Sequence, residues 1–590
     1  MPRLIRTDPR ASKPPRARVP AVHAEPRVPR WLTWLALGTL ALATLALTIP
    51  YPVISDDIWI HLKTAAYVWH HRAMPPIAGP DLYSFTARHP YVVHSWGGAL
   101  IFWLAYSAAG IPGLVMLRSL VAGATYALVY TTMRRLSARL AVIVPLFALV
   151  LVITADRMNE RPMIFTSLLT AVYVWIWRQS RRRGARPGGL NPRAWAYALP
   201  PLQLLWANLH GAAIQGVILV GCFALGESLR AQWDRQTMRR WGLVTVGCVL
   251  ASCATPYGAG VLRFVLDTSQ FRSPREWYPL YRSAALPTPE IRAYLLYVGV
   301  TCWAVTRRDA DPRYTVVNRL LQGVMLLCGG IIVYGRLQPL GESTLERQMV
   351  LPWVAGMLAV ACYTLIACLA VFFLVNRRTT DPVQALVILF ALALSVWHVR
   401  CVADATLATV GFTTHALTAW RPQTSSRGFR QRRASLGWMG LGCALLWGMI
   451  VLQTGQMRLG LDERIPTCAM DFLMTNHITG RAWTTPSFAQ WLVFHMPLGA
   501  VQVNIDTRSE VYDAALIGER MAASSDPDSM RAYLRRHRID FFLIDDSTGI
   551  EDPIRDALLQ DGWVIAHRDG VGMVLLPASH SAIRPIRCRS

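Results

Sequence analysis

The segment Ser55-Asp56-Asp57-Ile58-Trp59-Ile60-His61-Leu62-Lys63 sets an acid and an imidazole four residues apart. On a helix, Asp57, His61 and Thr64 share one face, while Ile58, Leu62, Ala65 and Trp69 share the other. A carboxylate held against apolar walls near a basic group can act as a general base. Asp57 and His61 are therefore the candidate catalytic pair. An aspartate here can also cap the helix by accepting first-turn amides. Asp56 fits the cap and stands with the candidate substrate-binding residues. Further on, His94 sits in His94-Ser95-Trp96, at the start of an apolar run.

Two short polar stretches lie between apolar runs. Asp156-Arg157-Met158-Asn159-Glu160-Arg161-Pro162 packs two acids and two arginines into one tight connection. Guanidinium groups suit a phosphate, which they grip through paired N–H donors. Internal pairing, Asp156 with Arg157 or Glu160 with Arg161, is the alternative use. Asn208-Leu209-His210-Gly211 places an amide and an imidazole where the surroundings are apolar, so both need partners. Gly211 permits close backbone approach. Arg336 and Arg347 lie near the ends of apolar runs, where they can hold a lipid phosphate or simply snorkel. The candidate substrate contacts are thus Asp56, His94, Asp156, Arg157, Glu160, Arg161, Asn208, His210, Arg336 and Arg347. No HExxH, CxxC or GxSxG pattern occurs. No metal ligand set and no cofactor is expected, and a divalent metal stays open.

The elements that must position these groups are membrane helices. The chain has 590 residues, 53% hydrophobic and 16% charged, against about a quarter charged in soluble proteins. Segments long enough to cross a bilayer fall at 31–49, 112–133, 139–155, 163–178, 194–209, 212–229, 241–256, 291–306, 320–335, 349–375, 382–399, 404–420 and 436–454, or about 13 spans. Trp31–Ile49 has no small-residue cleavage site after it and reads as an uncleaved anchor behind a basic tail, residues 1–30. With that tail in the cytoplasm, alternation puts about 32 basic residues on the cytoplasmic side and about 13 in the opposite loops. The net charge of +25 is explained by these clusters, not by a nucleic-acid surface.

The frame requires Trp96–Gly110 to be a juxtamembrane helix inside one long external loop, 50–111. Residues 455–590 then lie outside. There, apolar runs of strand length (Val501–Ile505, Ile539–Ile544, Trp563–Ala566, Gly572–Leu576) alternate with helical patterns near 467–476, 510–522, 528–536 and 552–560, as in a small α/β domain. Asp506-Thr507-Arg508 and Tyr512 read as a turn with an internal Asp–Arg bridge. Most cysteines lie within apolar runs, where a thiol behaves as a small hydrophobe. Cys468 and Cys588 both belong to the outer part, and nothing in the sequence pairs them.

This layout resembles the C-type (GT-C) membrane glycosyltransferases, and its local motifs look like a bacterial branch of that group. The matching features are Asp56-Asp57 after the first span, the helix at 96–110, and the charged loop from Asp156 to Arg161, together with "DDIWIHLK", "DLYSFT", "HSW", "NERP" and "NLHG". The resemblance implies an inverting transfer from a polyprenyl-phosphate-linked sugar to a glycan, lipid or protein acceptor outside the bacterial inner membrane. Asp57 would be the base, and Arg157, Arg161 and His210 would stabilise the departing phosphate. Asp156 and Glu160 are four residues apart, unlike the paired acids of metal-dependent members, which favours a metal-free mode. Two other classes remain at this point. A transporter or flippase of lipid-linked sugars would carry ionisable groups at mid-membrane or paired repeats. A non-enzymatic envelope assembly protein would tolerate loss of the external acids.

Overall fold

The structure, a computed structural model, describes residues 57–77, 79–137, 139–182, 191–261, 263–264, 289–337, 344–397, 401–419, 463–547 and 552–580, with residues 38, 584 and 586. The predicted first and last spans, Asp56 and the tail 1–30 lie outside the described residues.

The chain is mostly helical. The helices are α1 (Asp57–His71), α2 (Trp96–Leu136), α3 (Leu140–Thr154), α4 (Met163–Ser180), α5 (Leu199–Leu209), α6 (Ile214–Arg230), α7 (Arg235–Ser252), α8 (Pro289–Asp309), α9 (Thr315–Leu337), α10 (Thr344–Val375), α11 (Pro382–Trp397) and α12 (Val402–Ala419). Every predicted span within the described residues coincides with one of these helices, α5 being preceded by a 3-10 turn at Pro192–Ala198. Among the described residues, four helical stretches are long and apolar enough to cross a membrane: Trp96–Leu136, Leu140–Arg157, Gly211–Arg230 and Pro312–Val333. Val360–Val375 and Pro382–Val396 are shorter apolar helices. Leu250, Leu320, Leu326 and Leu374 are exposed on the outside of the bundle. Helices apolar on their outer as well as inner faces belong in lipid. This is a membrane protein.

α12 is the hub of the bundle. It is buried along most of its length and packs against α2, α3, α4, α8 and α11. Its threonines help satisfy the core: Tyr297 on α8 bonds Thr409 at 2.8 Å, and Thr301 bonds Thr413 at 2.9 Å. Where α4 ends, Arg181 pairs with both Glu227 and Asp381, tying α4, α6 and the start of α11 together. Asp381 also caps α11 through the Val383 amide (2.9 Å), and Asp234 caps α7 through the Thr237 amide (2.9 Å).

α2 contains the juxtamembrane helix expected at 96–110. It breaks at Ala109 (φ −146°) and Gly110 (φ +60°, ψ −141°), and Pro112 opens the second half. A backbone at that φ favours glycine. The break separates residues 96–110 from the predicted span at 112–133.

The C-terminal residues form α13 (Thr467–Thr475), β1 (Gly480–Thr484), α14 (Pro486–His495), β2 (Val501–Val503), α15 (Ala514–Ser525), α16 (Pro527–His537), β3 (Phe541–Asp545), α17 (Asp552–Gln560), β4 (Trp563–Arg568) and β5 (Gly572–Pro577). Their sheet runs β2-β1-β3-β5-β4, parallel across the first three strands and antiparallel across the rest. β1 and α14 were absent from the sequence expectation. The loop after α1 joins this sheet at its edge, with Ser84 bridging Val503 and the Val503 amide donating to Tyr83 O at 2.9 Å. Cys468 is disulfide-bonded.

Candidate functional site

α1 is buried from two sides. α2 covers one, and α14 of the C-terminal unit covers the other. Trp59 meets Trp491 edge-on at 4.5 Å, and the Lys63 ammonium donates to Met496 O at 2.6 Å. Thr64, which the sequence puts on the same face as Asp57 and His61, is buried and shares a 3.2 Å hydrogen bond with Tyr83. Periodicity reads one helix alone and does not reveal that a distant segment covers part of that face.

Asp57 stands at the first turn of α1. Its Oδ2 lies 3.1 Å from Arg161 Nη1, and its Oδ1 accepts a hydrogen bond from the Thr507 hydroxyl. The acid predicted on one loop and the arginine predicted on the next thus meet directly. The Thr507 oxygen accepts from Gln490 on α14.

His61 follows one turn behind Asp57. Burial pushes its imidazole down to about 4; Asp57 opposes this, while His94 and Arg161 add to it. His94 is lowered by burial as well, and its Nδ1 donates weakly to Val92 O at 3.3 Å. His210 lies 6.1 Å from His94, ring to ring, and shares a 2.9 Å hydrogen bond with Thr166. Burial pushes His210 down to about 3, with His94, His61 and Arg157 contributing in the same direction. The three predicted histidines therefore lie near one another, His61 acting on both His210 and Asp57 and His94 facing His210. Neutral imidazoles can donate or accept hydrogen bonds without adding charge.

Close backbone packing brings these groups together. A Cβ on Gly97 would sit 2.7 Å from Asn208 O, and one on Gly98 would sit 2.5 Å from Leu209 O. A Cβ on Gly211 would strike His94 Cδ2 at 2.6 Å. The "HSWGG" and "NLHG" stretches interlock, and neither tolerates a side chain at the contact.

Several predicted substrate contacts are placed elsewhere. Glu160 is 1% exposed and pairs with Arg118, itself 2% exposed, on α2. Arg118 is a buried cation that must be matched, and Glu160 matches it, with Arg161 adding a weaker favourable charge. Asn208 spends its amide on structure: Oδ1 accepts from Trp96 Nε1 at 3.0 Å, and Nδ2 donates to Leu204 O and Ala254 O. Asp156 is exposed, and its backbone carbonyl accepts from Asn159. Arg157 reaches toward Met163 Sδ at 3.3 Å and toward the Asp404 carboxylate, which Ser167 also holds at 3.0 Å. Arg336 and Arg347 fall on α9 and α10, and their side chains lie outside the described residues.

Besides Thr507 and Gln490, four further participants were not in the predicted site. Arg508 bridges Asp81 (2.8 Å) and Asp506 (2.7 Å), all three buried. The Asp506–Arg508 bridge matches the turn read from sequence, but the turn also clamps the first loop. Burial opposes the charge on Asp81, and the Arg508 guanidinium outweighs that and keeps the carboxyl below its ordinary value. Glu510, three residues beyond Thr507, is pushed up to about 7 by burial, with Asp506 and Asp57 adding their repulsion. Short segments such as "DTRSE" look like any polar turn, so only their packing against loop 81–94 reveals them.

Among the described residues, one His/Cys/Asp/Glu group has metal-like spacing: Cys468, His567 and Asp569. The Cys468 sulfur is already in a disulfide, so that group does not present three free ligands. Asp156 and Glu160 diverge, one toward solvent and one into the bundle.

No protein-family model matches the chain, and no curated protein does. Solved structures do. The oligosaccharyltransferase of Archaeoglobus fulgidus in its apo form is similar over 88% of this chain and 70% of its own, with a TM-score of 0.51 at 12% identity. ArnT from Cupriavidus metallidurans bound to undecaprenyl phosphate covers 95% of this chain and 100% of its own, at 12% identity and a TM-score of 0.42. The apo form of that ArnT gives a TM-score of 0.40 at 13% identity, over 93% and 98%. With its kinked helix α2, the charged turn 156–161 and the appended sheet, the chain shares the fold of that archaeal oligosaccharyltransferase.

Proposed function

We propose that this protein is a glycosyltransferase that moves a sugar from a polyprenyl-phosphate donor to an acceptor on the extracytoplasmic face of the bacterial inner membrane. The observation that carries this reading is the Asp57 carboxylate, held at one oxygen by Arg161 and at the other by Thr507, with His61 one turn behind it. That arrangement fixes the carboxylate at both oxygens.

In the proposed reaction, Asp57 takes the proton of an acceptor hydroxyl or amine as that atom attacks the anomeric carbon. The new bond forms on the face opposite the leaving group, so configuration inverts. The bond from the anomeric carbon to the phosphate oxygen breaks, and its electron pair leaves with the lipid phosphate. Arg161, and Arg157, whose charge acts on His210, are the cations proposed to stabilise that developing charge, and His210 can donate to it. The reaction as drawn uses no metal. The divergence of Asp156 and Glu160 supports that reading, because the second loop offers no pair of converging acids.

The proposed topology has about 13 spans, with residues 1–30 in the cytoplasm and residues 455–590 outside. Basic clusters on one side support it. So does the disulfide at Cys468, since disulfides persist in oxidising compartments.

The test compares lipid-linked sugars and envelope glycans in a deletion strain and in that strain carrying wild type or Asp57→Asn. The expected outcome is a lipid-linked sugar that accumulates and a glycan that loses a residue, both repaired by wild type alone. Full repair by a well-expressed Asp57→Asn variant sinks Asp57 as the base. Transfer by the wild-type protein should also persist in excess EDTA; its loss and restoration by one divalent ion would overturn the metal-free reading.

A further inference from the structure

The proposed reaction draws on the helical part and its loops. Yet one hydrogen bond to Asp57 comes from the C-terminal unit, 450 residues along the chain. We infer that Thr507 is a positioning residue for Asp57, so that the C-terminal unit completes the catalytic site by seating the loop 504–512 against α1. This inference rests on the glycosyltransferase reading.

Three features separate this contact from an incidental interdomain hydrogen bond. First, the Thr507 hydroxyl is directional. Its oxygen accepts from Gln490 Nε2, which leaves its proton for Asp57 Oδ1. Gln490 is itself fully buried, on the helix that covers α1. Second, the two partners of Asp57 divide its oxygens. Arg161 holds Oδ2 and Thr507 holds Oδ1, so the carboxylate cannot rotate without losing one of them. A base must hold its lone pair within hydrogen-bond reach of the proton it takes, and rotation would move it away. Third, the loop carrying Thr507 is anchored on both flanks. Arg508 ties it to Asp81 at 2.8 Å, and the Asp506 amide donates to the Tyr512 hydroxyl at 3.0 Å. Upstream, Asn504 O accepts from Thr86 of the first loop. Displacement of the C-terminal unit would therefore withdraw Thr507 from Asp57.

The role predicts a loss in turnover, not in donor affinity or folding. Full-length wild type, Thr507→Val and Thr507→Ser would be purified in lipid nanodiscs. Membranes of the deletion strain would supply the native lipid-linked sugar and acceptor. Mass spectrometry would follow depletion of the lipid-linked sugar as membrane amount is varied, giving apparent kcat and KM. Thr507→Val should keep the wild-type melting temperature and apparent KM and lose about 10- to 100-fold in kcat, the scale of one charge-assisted hydrogen bond. Thr507→Ser, which restores the hydroxyl, should recover most of the loss. Wild-type kcat in Thr507→Val, or a change confined to KM, overturns the inference and leaves the proposed function standing. No depletion by wild type removes the proposed function, and the inference with it. If Thr507→Val melts early, Gln490→Met carries the test. A fall in kcat at constant KM supports the inference, and an unchanged kcat overturns it.

Discussion

Asp57 has two partners with different strengths, and the difference sets what each substitution does. Arg161 and Asp57 are each a little over a quarter exposed (29% and 27%), so their pair adds at most about 1 kcal/mol to stability. In the proposed reaction its value lies in placing a cation where phosphate charge would develop. Arg161→Ala should lower kcat/KM for the lipid-linked donor by roughly 100-fold, the scale of losing one charge-stabilising group, with the melting temperature nearly unchanged. Steady-state kinetics and a thermal melt on one preparation check both halves. The histidines give a different signature. His61 and His210 titrate at about 4 and about 3 when folded, against an ordinary value of 6.5. The unfolded chain therefore binds protons first as pH falls, and stability drops with it. The contribution of the two rings is complete above about 6.5 and is lost progressively toward 4 and below. Melting temperature should fall from pH 7 to pH 4.5, and His210→Gln should flatten that slope; an unchanged slope would contradict the burial of a neutral ring. Asp57, His61, His94, Arg161 and His210 were legible in the sequence because each is polar within apolar surroundings. Thr507, Gln490 and Glu510 were not, because nothing local separates them from ordinary turn and helix residues. Glu160 and Asn208 carried the same signal as the site residues but answer a need of the fold, a buried arginine in one case and an indole in the other.

The elements hold these residues through contacts that have no room for a methyl group. At Gly98 the obstacles are Leu209 O at 2.5 Å and Pro162 Cβ at 2.9 Å, both backbone or ring atoms that cannot swing away. Gly98→Ala should cost about 1–3 kcal/mol by overpacking. It should also reduce transfer, since α2 would be pushed off the end of α5 that carries His210. The melting temperature of the purified variant, set beside Gly123→Ala, where a Cβ meets nothing within 4 Å, checks this. The spans were readable because length and apolarity suffice to find a membrane helix. The break at Gly110 was readable because the charge alternation demanded it. β1 and α14 were missed for a physical reason. Gly480–Thr484 is five residues with Arg481 at its second position, too short and too interrupted to show a period. Pro486–His495 is a short, mostly apolar stretch broken by Ser487 and Gln490, and such stretches do not distinguish helix from strand. Both are defined by tertiary pairing, β1 between two parallel neighbours and α14 against α1.

At the scale of the whole molecule, the C-terminal unit is fastened to the first loop by a buried ion cluster and a sheet-edge bridge. Arg508 is 4% exposed and faces Asp81 and Asp506, 8% and 0% exposed. Removing it leaves two buried carboxylates unmatched, a loss of about 3–5 kcal/mol. Arg508→Ala should accordingly raise hydrogen exchange in 81–94 and 500–513 together, whereas Arg531→Ala at the exposed Asp528 and Asp561 contacts should not. If only 500–513 loosens, the clamp is internal to the C-terminal unit and does not join the two parts. The same joint bears on the proposed topology. Since α1 and the C-terminal unit pack on each other, that topology must put both on one side of the membrane. It puts them outside, on the strength of the basic clusters and the disulfide at Cys468. The opposite side should then hold the turn between α6 and α7, where Trp233 is exposed. Single cysteines at Trp233 and at the exposed Ser547 separate the alternatives, because the free cysteines among the described residues are buried or half-buried and give little background. An impermeant maleimide applied to intact spheroplasts should label Ser547→Cys and reach Trp233→Cys only after lysis. Labelling of Trp233→Cys in intact spheroplasts, with Ser547→Cys protected, would invert the chain in the membrane. It would place Asp57 on the cytoplasmic face, where a different acceptor would have to be sought.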